Sequence, residues 1–106
     1  MGFEIYKPDA IQTALPSIRL KEKNGKTTAY LSVSLRTMLK SMGVMFNIEI
    51  DKEKGILRFA PDREGLFKVR EESKFVSGAM EACGFKPGKY FIVREKDSPF
   101  RPYITK

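Results

Sequence analysis

The sequence predicts an α+β fold, mainly β, in which two short helices punctuate a series of antiparallel hairpins. Three observations carry this. Apolar and polar residues alternate in SIRLKE, FNIEI and FKVR, the period of a half-buried strand. Asn24-Gly25 lies between two such runs and supplies the positive φ angles of a tight hairpin turn. Two other segments, 34–43 and 74–84, space their apolar residues every three or four positions and end on glycine, as short amphipathic helices do. At 106 residues, 42% hydrophobic and 11% aromatic, the chain has apolar surface enough for one core. Two independent domains would each be marginal, so residues 1–106 are read as one.

In chain order, FEIYKP predicts a short strand ending at Pro8, and DAIQTALP one helical turn stopped by Pro16. Residues 17–33 predict the hairpin around Asn24-Gly25. Ser34 is a candidate amino-terminal cap for a helix with Leu35, Met38, Leu39 and Met42 on its apolar face and Gly43 as its stop. Residues 44–60 predict a second hairpin, with Phe46, Ile48 and Ile50 on one face and DKEKG as the turn. LFKVRE predicts a further strand. The second helix, KFVSGAMEACG, presents Val76, Ala79, Met80 and Cys83, and its internal Gly78 weakens it by up to about 1 kcal/mol. KPGKYFIVRE and RPYITK predict a third hairpin, confined to a sheet edge by Pro99 and Pro102.

This order repeats. A shift of 41 residues superposes Leu35 on Val76, Met38 on Ala79, Leu39 on Met80, Met42 on Cys83 and Gly43 on Gly84. Residues 17–61 and 66–106 are therefore read as an internal repeat of two strand-helix-hairpin units.

The second unit contains ACGFKPGKYFIVRE, in which Gly84, Lys86, Pro87 and Gly88 form a glycine-x-lysine-proline-glycine turn between helix and hairpin. This resembles the AbrB/MazE-type swapped-hairpin domains; LSVSLRTMLKSMGVMFNIEI is the corresponding run of the first unit and lacks the Lys-Pro-Gly turn. The resemblance implies a small barrel-like domain in which two pseudo-symmetric units interlock, here within one monomeric chain. It also implies DNA binding through basic residues on or beside the first strand and loop of each unit. By position these are Arg19, Lys21, Lys23, Lys26 and Arg36 in the first unit, and Lys68, Arg70 and Lys74 in the second, where Glu71 and Glu72 oppose them. Small phage and mobile-element proteins are similar, which implies an inhibitor or regulator of host machinery as the alternative.

Charge placement points the same way. The net charge is +7, and residues 17–42 carry six basic residues against Glu22 alone, while residues 86–106 carry six against Glu95 and Asp97. Such clustering can build a one-sided positive field that attracts phosphate; ordinary solvated surface is the competing reading. The expected partner is nucleic acid, with a host protein as the alternative.

Chemistry is poorly provided for. There is no histidine to act as general acid, base or metal ligand. Cys83 falls on the apolar side of a helix and reads as a structural thiol. Asp51 and Glu53 flank Lys52 in a turn and read as solvated turn residues. The glycines form no phosphate-binding fingerprint. Neither enzyme activity, nor a cofactor, nor a metal is expected. The single cysteine excludes an intramolecular disulfide, and no apolar run approaches the roughly 20 residues of a membrane span, so a cytoplasmic location without membrane association is expected. Among the aromatics, Tyr30, Phe46, Phe59, Tyr90, Phe91, Phe100 and Tyr103 are interleaved with basic residues; most are needed in the core, and Phe91, between Tyr90 and Ile92, is the candidate for an exposed ring.

Overall fold

A computed structural model describes residues 2–4 and 15–106. The strand expected over 3–8 and the helical turn expected over 9–16 fall largely on residues 5–14, outside the described residues. Asn24 and Gly25, at φ 54° and 75°, close the first hairpin between β1 (Ser17–Lys23) and β2 (Lys26–Leu31), with Arg19 opposite Tyr30 and Lys23 opposite Lys26. Helix α1 (Val33–Met42) follows. Its cap is Ser32 rather than the expected Ser34: the Ser32 side chain accepts from the Leu35 N–H at 3.1 Å and from the Ser17 N–H at 3.0 Å, tying the helix start to β1. Gly43 ends the helix as expected, donating its N–H to the Leu39 carbonyl.

The second hairpin is β3 (Met45–Asp51) and β4 (Ile56–Pro61). Its turn uses Gly55 at φ 67°, and the Asp51 carboxylate accepts from the Lys54 N–H at 3.0 Å, the turn role expected of that residue. The expected strand at LFKVRE is shorter than its alternation suggests. Only β5 (Phe67–Lys68) pairs with β3; the chain then crosses to pair β6 (Glu72–Ser73) with β2. Helix α2 (Lys74–Ala82) starts at once, capped by Ser73 through the Val76 N–H, and the chain leaves it through Gly84 at φ 80°. Strands β7 (Gly88–Phe91) and β8 (Tyr103–Thr105) complete the chain.

The strands form two antiparallel sheets of four, in the orders β6-β2-β1-β7 and β5-β3-β4-β8. They do not close into the expected barrel. Each sheet ends in strands of two to four residues, and among the described residues the only β-bridge between the segment after β7 and β8 is the isolated Val93–Tyr103 pair. The third hairpin is corrected for the same reason: β7 pairs with β1 and β8 with β4, both at sheet edges. Pro102, which has no N–H to offer a partner, is buried, and its carbonyl accepts from the Phe59 N–H at 2.9 Å. Residues 17–61 thus supply every central strand and residues 66–106 every edge strand.

One core is shared by both sheets and both helices. It contains Ile18, Leu20, Ala29 and Leu31 from the first sheet, Phe46, Leu57, Phe59 and Ile104 from the second, Leu35 and Leu39 from α1, and Val76 and Met80 from α2. Met42 packs only partly buried at its margin, while Cys83 is buried. Ile48 is likewise half-buried and Ile50 is exposed, because β3 runs past the core toward its turn. No helix among the described residues is long and apolar enough to cross a membrane.

Two glycines predict opposite outcomes. A Cβ at Gly65 would lie 2.4 Å from the Phe46 backbone, so Gly65→Ala should destabilise the fold by about 1–3 kcal/mol, the cost of forcing atoms into a packed site. A Cβ at Gly78, inside α2, meets nothing within 4 Å, so Gly78→Ala should stabilise by up to about 1 kcal/mol. Urea denaturation of the two variants checks both signs.

Candidate nucleic-acid interface

Successive residues of a strand point to opposite faces, so burial of Ile18 and Leu20 turns Arg19, Lys21 and Lys23 outward. The pairing register extends this outer face. Arg19 stands opposite Tyr30 on β2 and Lys89 on β7, Lys21 opposite Thr28, Lys23 opposite Lys26, and Ser17 opposite Phe91. Lys21 Nζ lies 5.2 Å from the centre of the Tyr30 ring, and Lys89 Nζ lies 5.2 Å from that of Phe91. Five cations and two aromatic rings therefore share one surface. Among the described residues, none of the five forms an ion pair.

The nearby carboxylates are mostly turned away. Glu22 stands opposite Thr27, on the other face of the sheet, and the Thr27 hydroxyl donates to Glu81 of α2 there. Glu72, opposite Tyr30 on the edge strand β6, is the acidic residue on the outer face.

The outer face of the second sheet is different. Glu49 binds Arg58 at 2.8 Å and Arg101 at 3.0 Å. Arg58 stands opposite Tyr103, whose hydroxyl donates to Glu95 at 3.0 Å. That hydrogen bond holds the phenol proton and pushes the Tyr103 pKa up. Two arginines here share one carboxylate within the protein, unlike the cations of the first sheet.

The second expected group of basic residues lies beside the edge of the first sheet. Lys68, Arg70 and Lys74 line a shallow groove of about 460 Å³ together with Glu72 and Thr28, and Thr28 is the cross-strand partner of Lys21. Phe75 and Leu66, 48% and 78% exposed, lie in the same groove, with Phe75 stacked on Phe67 at 6.3 Å. Arg36 sits on α1 rather than on the sheet, half-buried, with its Nε donating to the Leu31 carbonyl at 3.3 Å.

Phe46 and Phe59 are core residues, and Tyr90 turns inward opposite Ile18 to meet Phe85 edge-on at 4.9 Å. Phe91 takes the alternative foreseen for it and is 51% exposed. Lys89 was not among the expected contacts. Its alternation with Tyr90 was visible in the sequence, but only the pairing of β7 with β1 sets it beside Arg19.

Cys83 forms the carboxy-terminal cap of α2, with its Sγ 3.7 Å from the Ile56 carbonyl. Burial pushes its pKa up, a shift that the nearby Lys106 and Lys52 charges partly oppose, so the thiolate is disfavoured. No protein-family profile, curated protein or solved structure matches the chain.

A charged thiol reagent such as the Ellman disulfide should consequently label Cys83 slowly in the native protein and completely in denaturant. Rapid stoichiometric labelling under native conditions would show an accessible, reactive thiol instead.

Proposed function

We propose that this chain is a non-catalytic nucleic-acid-binding module, a small DNA-binding regulator in its cellular role, acting as a monomer. The observation that carries the proposal is the concentration of Arg19, Lys21, Lys23, Lys26 and Lys89 on one outward sheet face with no ion pair among the described residues, while Arg58 and Arg101 beside the other sheet are held by Glu49. Cations not bound to a carboxylate of the protein are available to phosphate, and each phosphate they neutralise releases condensed counterions. The groove containing Lys68, Arg70 and Lys74 extends that surface by way of Thr28. Glu72 lowers the potential at this border and favours a strand of nucleic acid that runs along β1 and β7.

Titration of labelled DNA oligonucleotides, both duplex and single-stranded, at several salt concentrations is the direct test. The affinity should fall steeply as salt rises, and Lys21→Ala and Lys23→Ala should each reduce the logarithmic salt slope by about 1. Arg58→Ala, which removes an internally paired cation, should leave the slope unchanged. Absence of binding to either DNA form at low salt would overturn the proposal.

A protein partner is the second reading, favoured by the exposed Phe75 and Leu66 beside Lys68, Arg70 and Lys74. An inhibitor of host machinery would use such a mixed apolar and basic groove. In that case Phe75→Ala would abolish capture of one partner from nuclease-treated lysate while leaving DNA affinity unaltered.

A further inference from the structure

Two rings on the cationic face, the exposed Phe91 and the half-buried Tyr30, narrow the class of ligand. Tyr30 and Phe91 flank Arg19 from opposite sides: Tyr30 is its neighbour on β2, and Phe91 stands on β7 one pleat further along, opposite Ser17. With strands about 4.8 Å apart and a rise of about 3.4 Å per residue, the two rings are anchored about 12 Å from each other. That distance suits two well-separated bases of an extended strand. Both rings lie on a sheet surface beside ammonium groups that are 5.2 Å from their centres. A base arriving on either ring would displace a solvent-exposed cation–π contact, the weaker of the two interactions, and release the lysine toward the adjoining phosphate.

A duplex makes no use of such rings. Its base faces are already stacked on one another, and only base edges and phosphates are open to a protein. In a single strand every base offers a free face, and the alternation of ring and cation along the sheet matches the alternation of base and phosphate along the strand.

We propose that the outer face of the β6-β2-β1-β7 sheet binds single-stranded nucleic acid, with bases stacked on Tyr30 and Phe91 and phosphates held by Arg19, Lys21 and Lys89. The proposal rests on the nucleic-acid reading above and adds the strandedness of the ligand. The basic tip of the β1–β2 hairpin, Lys21 to Lys26, could alternatively enter a duplex groove, and the test separates the two.

The probes are a labelled oligothymidylate of roughly ten nucleotides, which cannot pair with itself and lies within common site sizes for single strands, and a duplex of equal length. The single strand should bind at least about tenfold more tightly. Tyr30→Ala and Phe91→Ala should each weaken single-strand binding by about 5- to 150-fold, the range expected for loss of one stacked base, without changing duplex affinity or the salt slope. Phe100→Ala, which removes an exposed ring outside this face, should have no effect. The chain contains no tryptophan, so Phe91→Trp introduces a unique fluorophore that should retain affinity and be quenched on addition of oligothymidylate. Equal affinity for both probes, unaffected by the alanine variants and with an unquenched tryptophan, would refute stacking while leaving phosphate binding intact. Failure to bind either probe at low salt would refute the underlying nucleic-acid proposal as well.

Discussion

The two-residue period of β1 governs the chemistry of this protein. Ile18 and Leu20 are buried in the common core, and a strand cannot bury them without turning Arg19, Lys21 and Lys23 the other way. A register slip of one residue would drive cations into buried positions of β1 and expose two large aliphatic side chains. The Asn24-Gly25 turn prevents that slip by setting Lys23 opposite Lys26, so the same apolar burial that stabilises the fold also builds the charged face. Core and surface are consequences of a single constraint.

Local signals were legible in the sequence, and long-range pairing was not. Both long hairpins and both helices follow from turn residues, capping residues and apolar spacing within a dozen neighbours. The finer errors have local causes of their own. Ser32 and Ser34 are both good caps, and the choice between them depends on the Ser17 N–H, which comes from a residue fifteen positions earlier. The edge strands depend on non-local partners throughout. Nothing within KPGKYFIVRE specifies that β7 should lie against β1, 70 or so residues away in the chain, rather than against RPYITK. Alternation in LFKVRE similarly marks residues that can be extended, but the chain switches sheets after Lys68.

The candidate site divides along the same line. Arg19, Lys21, Lys23 and Lys26 were legible as a group because one hairpin carries them. The groove of Lys68, Arg70 and Lys74 reaches Thr28 of β2 beside the pairing of β6 with β2, and Lys89 joins the first group only through β7. Arg36 shows the limit of reading charge without direction. It belongs to the same basic stretch of sequence, yet its place on α1 gives its guanidinium a backbone carbonyl as a neighbour.

The division of labour between central and edge strands also bears on how the chain acquires its shape during synthesis. The two long hairpins contain their own turn and cross-strand pairing and can zip up as soon as residues 17–61 have emerged from the ribosome. Their outer rims then remain unpaired until β5 to β8 arrive, the last of them at Tyr103–Thr105. A nascent or prematurely terminated chain would thus expose free amide and carbonyl groups along the outer sides of β1, β2, β3 and β4, ready templates for a strand from another molecule. The short strands of residues 66–106 act as selvedges: they contribute little pairing of their own, but they keep the woven sheets from being extended by a neighbour.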